Sequence, residues 1–413
     1  MSTNSSSTVT KHVLNVVPNH VSWQSGPNSR GTFEILALCL STIFFAIWTA
    51  YRPDVPTTIL PQSRRHKHAS LEPLGMVALF LLAPELLPIT AAIELRKAWI
   101  LYHGVGSMAA IRESNMQWTL SHAFYVLMGG FTFVDMAGTI HFLTPDELIE
   151  VVEKRLFSDK FDFISKKAIK NRTRRDNLSK GITVIQITSF FVLLASRWAQ
   201  KLPLSILEIS SFAYIISAAI AYLLWWSKPD TVQKSIFIDI TTCPLLEFCT
   251  EKDTCAKMHW KNPPDETFFR RLYQDLEIVP CYLRVFVGLS GPVIYGSLHL
   301  LAWNTPLPSV TEVLLWKSAV IGVIAMGPVI LYLQFLGFNI LHWFRKSEQG
   351  DSDHHLTTGK IVDALVRWAT LIAIIAYVLA RLYMLEEAFR QLFYLPPDSF
   401  KVPSWSNYIP RFS

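Results

Sequence analysis

Apolar residues in this chain concentrate in long runs, and polar segments separate these runs. A helix needs roughly 20 mostly apolar residues to cross a membrane. Seven runs reach this length, so the pattern predicts seven transmembrane helices. The predicted spans cover residues 32–51, 74–95, 181–198, 204–226, 279–303, 313–336 and 361–385.

An eighth span is predicted over residues 118–143, on weaker grounds. Its core from Ala123 to Val134 carries no charge, which is unusual for a loop in water. Two histidines and an aspartate interrupt the rest of the segment, and the Gly129-Gly130 pair weakens it as a helix. Seven and eight spans therefore both stay open, and the apolar core favours eight.

The composition places the chain among membrane proteins. Hydrophobic residues make up 51% of the 413 residues and aromatic residues 13%. Charged residues make up only 17%, whereas soluble domains contain about 25%. A disordered chain, a coiled coil and an ordinary secreted domain are excluded. The predicted fold is an all-α, polytopic transmembrane helix bundle with seven or eight spans over residues 31–395. Polar tails at 1–30 and 396–413 flank it.

The distribution of Lys and Arg predicts how the chain is oriented in the membrane. The loop at 144–180 holds 10 of these residues and the loop at 228–284 holds 8. Cytoplasmic loops of membrane proteins carry such an excess, so both loops are predicted on the cytoplasmic side. The basic segment at 157–180 is expected to contact anionic lipid headgroups. A net charge of +6 gives little reason to expect a nucleic-acid partner.

Motifs for metal and nucleotide chemistry are missing from the sequence. It has no Asp-Asp pair, no His-Glu-x-x-His, no P-loop and no Gly-x-Gly-x-x-Gly. Cys243, Cys249, Cys255 and His259 follow one another at intervals of six, six and four residues, which is not a zinc-site spacing. We therefore expect neither a metal nor another cofactor.

Three carboxylates inside the predicted membrane segments are candidate catalytic residues: Glu208, Asp135 and Glu85. Ionisable groups in a membrane are costly, which makes them functional candidates. Pro84 and Pro88 flank Glu85 and free backbone carbonyls around it. Each carboxylate also has a structural explanation. Glu208 suits the first turn of a helix, Glu85 could pair with a buried cation, and Asp135 could lie at the membrane interface.

A carboxylic acid in a water-poor cavity has a raised pKa and can act as a general acid near neutral pH. Such an acid can protonate an alkene or an epoxide without a metal. Aromatic ring faces would then stabilise the carbocation, by about 2 kcal/mol each when desolvated. The residues expected to bind a hydrophobic substrate are His122, Tyr125, Trp198, Tyr222, Trp225 and Trp303. An interfacial belt is the alternative role for most of the aromatic residues.

The sequence resembles a large family of fungal integral membrane proteins that includes membrane-bound terpene cyclases of the ascofuranone and macrophorin type. The similarity extends over nearly the whole chain. The matching pieces are Arg30-Gly31-Thr32, Ile47-Trp48-Thr49, Ala83-Pro84-Glu85, residues 118–125, Met128-Gly129-Gly130-Phe131, Leu202-Pro203 with Leu207-Glu208, residues 225–229, residues 296–303, Glu312 with Trp316, Ala380-Arg381-Leu382, Leu395-Pro396-Pro397, and Trp405 with Ile409-Pro410.

The resemblance implies a metal-free cyclisation of a farnesyl chain attached to an aromatic polyketide. The reaction would begin with protonation of a terminal epoxide or alkene, and a hydroxyl on the chain could then close an oxygen ring. The implied partners are a hydrophobic small molecule and membrane lipid, and the implied location is the endoplasmic reticulum membrane. The resemblance assigns no catalytic residue.

Two other functions stay open. A transporter or channel for a hydrophobic metabolite would need a continuous polar path, and no internal repeat supports it. A receptor would suit seven spans, but the chain contains neither an Asp-Arg-Tyr nor an Asn-Pro-x-x-Tyr motif.

Overall fold

The structure is a computed structural model. It describes residues 20–25, 30–54, 72–113, 117–134, 140–153, 169, 177–230, 236–238, 281–347 and 353–403. The α-helices are α1 (Thr32–Ala50), α2 (Glu72–Leu82), α3 (Leu86–Gly106), α4 (Ala109–Glu113), α5 (Leu120–Leu127), α6 (Pro145–Glu153), α7 (Asn177–Ala199), α8 (Ile206–Leu224), α9 (Cys281–Leu298), α10 (Val310–Ser347) and α11 (Asp353–Arg390). The strands are β1 (Phe131–Val134), β2 (Ile140–Phe142) and β3 (Ile236–Ile238).

Five helices within the described residues are long and apolar enough to cross a membrane. They confirm the predicted helical segments at 32–51, 181–198, 204–226, 313–336 and 361–385. The observed candidates are Thr32–Ala50, Gly181–Ala199, Ile206–Leu224, Val310–Gly337 and Ala364–Phe393.

The span predicted over 74–95 does not form one continuous helix. The segment is a pair of helices, α2 and α3, bent by 117° at a short break. The break contains Pro84, which has no N–H to donate and whose ring obstructs the preceding turn of a helix. Taken together, the two helices make a sixth candidate span.

The predicted span at 279–303 corresponds to α9 and a following 3-10 turn, His299–Ala302. The apolar part of this segment is a shorter helical stretch, Leu289–Ala302. This segment falls below the length of the five candidate spans.

The prediction of an eighth transmembrane helix over 118–143 is wrong. α5 ends after 8 residues, and β1 and β2 follow it. Gly129 has a φ of 74°, a left-handed conformation that ends the helix. A side chain at Gly130 would lie 2.3 Å from the ring of Tyr125. The apolar residues that suggested a span instead form a buried short helix and a strand.

The three strands form a small sheet that the all-α prediction did not include. Their order is β2-β1-β3, with β1 antiparallel to β2 and parallel to β3. The described part of the chain is otherwise mostly helical. Most of the two basic loops lies outside the described residues, so the cytoplasmic orientation stays a prediction.

The chain divides into two compact units. Unit 1 comprises Met1–Ala46, Ile182–Ile216 and Gly288–Ser413, and unit 2 comprises Ile47–Gly181 and Ser217–Val287. In unit 1, α9 approaches α10 closely at Gly296, where a Cβ would lie 2.5 Å from the Ile324 side chain.

The two chain ends also contribute to unit 1, although the sequence predicts tails there. The backbone N–H of Val21 donates to Leu395, and that of Arg30 donates to Phe400. Residues Pro397–Phe400 form a 3-10 turn. The described residues of the predicted tails, 20–25, 30 and 396–403, are therefore part of the packed structure.

Candidate functional site

Glu208, the first candidate acid, lies in the first turn of α8 and is completely buried. Its Oε1 lies 2.6 Å from Nη2 of Arg30 and 4.0 Å from Nε of Arg197. Its Oε2 accepts hydrogen bonds from the backbone N–H and the hydroxyl of Ser205, at 2.8 and 2.9 Å. The carboxylate therefore joins the helix terminus to two arginines. We call these side chains the Arg30–Glu208–Arg197 cluster.

The turn after α7 positions Arg197 in this cluster. Lys201 adopts a left-handed conformation with a φ of 54°. The N–H of Leu202 then donates to the carbonyl of Arg197, and the N–H of Lys201 donates to that of Trp198. This pair of hydrogen bonds is the Schellman motif that ends many helices.

The guanidinium of Arg197 also binds backbone carbonyls. It donates to Pro203 at 2.8 Å and to Ser399 and Lys401 at 2.9 Å each. A buried guanidinium needs acceptors for its five N–H groups. The 396–401 segment is therefore held against the start of α8.

The environment of Glu208 suits an ionised carboxylate. Guanidinium groups and hydrogen-bond donors stabilise the charged form of a carboxyl group. A proton on Glu208 would leave two buried arginines without a counter-charge. These contacts favour the role of Glu208 as an ion-pair and helix-terminus residue. Its role as a proton donor stays a prediction, which the contacts around the carboxylate do not favour.

The other two candidate acids contribute less. Glu85 is 3% exposed and lies at the break between α2 and α3, in unit 2. Asp135 lies outside the described residues. A catalytic role for Glu85 or Asp135 therefore stays a prediction.

His122 and Tyr125, both predicted to bind substrate, are completely buried in α5 of unit 2. The Nδ1 of His122 lies 2.7 Å from the hydroxyl of Thr119 and accepts a hydrogen bond from the backbone N–H of Thr119. This is a helix-capping arrangement. Tyr125 packs edge-on against Phe131, with ring centroids 5.0 Å apart. Both contacts are those of structural residues.

Trp225 and Tyr222, at the end of α8, border a charge network in unit 2 that includes the buried side chains of Lys228 and Arg52. The Nε1 of Trp225 donates to Glu94 at 2.8 Å, and Nζ of Lys228 lies 2.7 Å from the same carboxylate oxygen. The guanidinium of Arg52 lies 5.2 Å from the ring centre of Tyr222. Its Nη1 also donates to the carbonyls of Trp225 and Lys228.

The charge on Lys228 is balanced by carboxylates. Burial lowers the pKa of the Lys228 ammonium, but Glu94 and Asp54 more than offset this effect and hold the pKa above its ordinary value. The Asp54 carboxylate lies 3.4 Å away. The network therefore fixes the Trp225–Lys228 turn as a salt-bridged unit.

The remaining predicted substrate-binding residues belong to unit 1. Trp198 is 78% exposed, which suits the interfacial-belt alternative. Trp303 is half-buried, and Nζ of Lys317 lies 5.0 Å from its ring centre.

A second buried polar group in unit 1 surrounds His299, which the sequence reasoning did not select. Its Nδ1 lies 3.0 Å from the carbonyl of Tyr295, and its Nε2 lies 3.3 Å from the hydroxyl of Ser210. Because a carbonyl only accepts, Nδ1 carries the proton and Nε2 is the acceptor. The buried ring of Trp316 lies 6.3 Å from the imidazole.

Aromatic rings and one cation complete this region. The guanidinium of Arg381 lies 4.3 Å from the ring centre of Tyr295 and 3.4 Å from the hydroxyl of Tyr214. The two tyrosine rings meet edge-on at 5.8 Å.

A fourth carboxylate, Glu387 near the end of α11, was also missed. It is 0% exposed, and its Oε2 accepts from the hydroxyl of Tyr383 at 3.3 Å. Its Oε1 has no hydrogen-bond partner among the described residues. Within that part of the chain no basic nitrogen forms a salt bridge with it either. The same hydroxyl lies 3.3 Å from the carbonyl of Glu312, one helical turn before Trp316.

One sequence signal could have identified Glu387. Arg381, Met384, Ala388 and Gln391 recur at helical spacing and are buried, and Glu387 falls on their face. Glu386, its neighbour in sequence, is 58% exposed. Helical periodicity separates the two acids, although the predicted span ended at residue 385.

No group of three or more His, Cys, Asp or Glu side chains with the geometry of a metal site occurs in the described ranges. No curated protein matches the chain, and no solved structure matches it. The model of a family of unknown function, DUF8562, matches residues 9–259 and 274–412. Because these residues make up most of its length, the chain belongs to the DUF8562 family.

Proposed function

We propose that the protein is a membrane-bound terpene cyclase that closes a ring on a farnesyl chain attached to an aromatic compound. The sequence resemblance supports the reaction class. The observation that carries the proposal is Glu387, a completely buried carboxyl group with a phenol partner and no described cation. A carboxylate without a counter-charge is costly to bury, so the neutral acid suits this position.

Glu387 is the proposed proton donor. Its O–H transfers a proton to the epoxide oxygen, or to an alkene carbon, and leaves a carboxylate that Tyr383 stabilises by its hydrogen bond. In the epoxide reaction the protonated C–O bond breaks, and positive charge develops on the more substituted carbon. A hydroxyl of the substrate then attacks this carbon and closes the ring.

His299 is the proposed base, and the ring of Trp316 lies near its imidazole. Trp316 follows Glu312 by one turn, and its ring is 6.3 Å from the imidazole. The indole face stabilises the developing carbocation by about 2 kcal/mol when desolvated. The Nε2 of His299 accepts the proton that the attacking hydroxyl loses. Return of that proton to Glu387 resets the enzyme, so the net reaction is an isomerisation.

The proposed setting is the endoplasmic reticulum membrane, from which a hydrophobic substrate can enter the helix bundle. All proton transfers use side chains of the protein and atoms of the substrate. We therefore expect turnover to continue in EDTA and without added nucleotide. Lost turnover that magnesium restores would contradict this mechanism.

Microsomes that contain the protein should convert a farnesylated aromatic epoxide to a cyclic isomer of equal mass. Glu387→Gln keeps the size of the side chain but cannot donate an acidic proton, so turnover should fall by about 10²-fold. Glu386→Gln is the matched control, because it makes the same change one residue away on an exposed side chain, and it should retain turnover. Equal turnover in both variants, at equal accumulation, would remove Glu387 from the mechanism.

A further inference from the structure

Four buried side chains near the start of α8 have a polar atom without a hydrogen-bond partner among the described residues. These atoms are Nη1 of Arg30, Nε of Arg197, Nε2 of Gln391 and Oγ of Ser399. Each of these residues is at least nine-tenths buried. The three nitrogen atoms can only donate hydrogen bonds, and the serine hydroxyl can either donate or accept one.

Contacts place the four side chains at one helix terminus. Arg30 and Arg197 both approach the Glu208 carboxylate. Ile206 is the first residue of α8, and its backbone N–H donates to the Oε1 of Gln391 at 2.7 Å. The backbone carbonyl of Ser399 accepts from Arg197.

The charges at this terminus do not cancel. The Arg30–Glu208–Arg197 cluster holds two guanidinium groups and one carboxylate, with side-chain exposures of 7%, 0% and 1%. The carbonyls around Arg197 accept hydrogen bonds from its Nη1 and Nη2 atoms but carry no net charge. Asp398 pairs with Lys401 at the surface instead. The N-terminal end of a helix adds a further partial positive charge.

We propose that this terminus binds an oxyanion, a carboxylate or phosphate group carried by a hydrophobic ligand. Buried donors without acceptors are costly, and helix N-termini with nearby arginines are suited to such groups. The oxyanion accepts hydrogen bonds from Arg30, Arg197 and Gln391 and neutralises the excess charge. An acidic aromatic substrate and an anionic lipid share this chemistry. The site goes beyond the cyclase proposal and does not depend on it.

Substitution of Glu208 should change anion affinity in the opposite direction to substitution of Arg30. Its carboxylate repels a second anion and competes for the same guanidinium groups. Glu208→Gln removes this repulsion, so the variant should bind an oxyanion about tenfold more tightly than the wild type. Arg30→Gln removes a donor and a charge, and it should bind about tenfold more weakly or not at all. A purely structural ion pair predicts neither change.

The experiment measures the thermal unfolding of the full chain in neutral detergent while an anion is titrated. The probes are inorganic phosphate, palmitate and a phosphatidic acid, with hexadecanol as the uncharged control. Arg381→Gln is the matched variant, since it removes a comparably buried arginine from α11, ten residues or about 15 Å before Gln391. A saturable rise in unfolding temperature that Arg30→Gln loses and Arg381→Gln keeps supports the site.

The pattern across the probes identifies the source of the oxyanion. A rise with inorganic phosphate indicates that the free ion suffices, and a rise only with palmitate or phosphatidic acid indicates that the chain contributes. If Arg30→Gln does not accumulate, tighter binding by Glu208→Gln supports the site by itself. The proposal is overturned if no anion gives a saturable rise in the wild type. It is also overturned if Arg30→Gln and Arg381→Gln respond equally.

Discussion

The Nη2 of Arg30 lies 2.6 Å from the Oε1 of Glu208, and 178 residues of sequence separate the two. Both side chains are buried, so this pair joins the segment before α1 to the start of α8 inside unit 1. Breaking a buried ion pair leaves an uncompensated charge, which costs more than the pair contributes.

The first prediction concerns this pair. Arg30→Met or Glu208→Gln alone should lower the free energy of unfolding by about 3 kcal/mol. The double variant should lose less than the sum, with a coupling of about 1 kcal/mol or more. Denaturant titration in detergent micelles measures all four proteins. Additive losses would show that the pair is not coupled.

Glu208→Gln also distinguishes the ion-pair role of Glu208 from its role as the catalytic acid. A destabilised Glu208→Gln whose remaining folded fraction turns over normally fits the ion-pair role. A variant that accumulates normally but loses turnover would return Glu208 to the role of acid that the sequence suggested.

The second prediction concerns the base. His299→Phe keeps a ring beside Trp316 but removes the acceptor at Nε2, so turnover should fall by about 10²-fold. Ser210 can then donate to a carbonyl of its own helix instead. His103→Phe, on an exposed face of α3, is the control and should leave turnover unchanged. Substrate affinity should change little in either variant, and a rise in KM without a fall in kcat would contradict a base role.

The sequence could predict those helices whose apolar runs are long and uninterrupted. α1 and α8 begin and end close to the predicted positions, because length and hydropathy suffice to define them. The core of the segment at 118–143, from Ala123 to Val134, is also free of charge, but Gly129 ends its helix at residue 127. Local backbone conformation decided that outcome, and an average over the segment cannot show it.

The candidate site was harder to predict, because its contacts join distant parts of the chain. The sequence marks Glu208 as an acid inside a predicted membrane segment, but it places Arg30 in a predicted tail. Glu387 lies two residues beyond the predicted end of its span and beside a second acid. Only the rotation of about 100° per residue around a helix axis makes one of them buried and the other exposed.

The third prediction concerns the network around Lys228. Its ammonium is 2.7 Å from Glu94 and 3.4 Å from Asp54, whose side chain is 45% exposed. Glu94→Gln should therefore lower the free energy of unfolding by about 3 kcal/mol, and Asp54→Asn by less than about 1 kcal/mol. Both losses should be measured at pH 7, where the raised pKa of Lys228 keeps its ammonium charged. Equal losses in the two variants would contradict this ranking.

The last prediction concerns the turn that positions Arg197. Lys201 has a φ of 54°, a conformation that costs a residue with a Cβ about 1 kcal/mol relative to glycine. Its side chain is exposed, and only its backbone contributes to the Schellman motif after α7. Lys201→Gly should therefore raise the free energy of unfolding by about 1 kcal/mol. Lys201→Ala removes the same side chain without relieving the backbone, so it should give no gain. Denaturant titration of both variants measures the difference between them. Equal stability of the glycine and alanine variants would mean that the backbone of Lys201 is not strained.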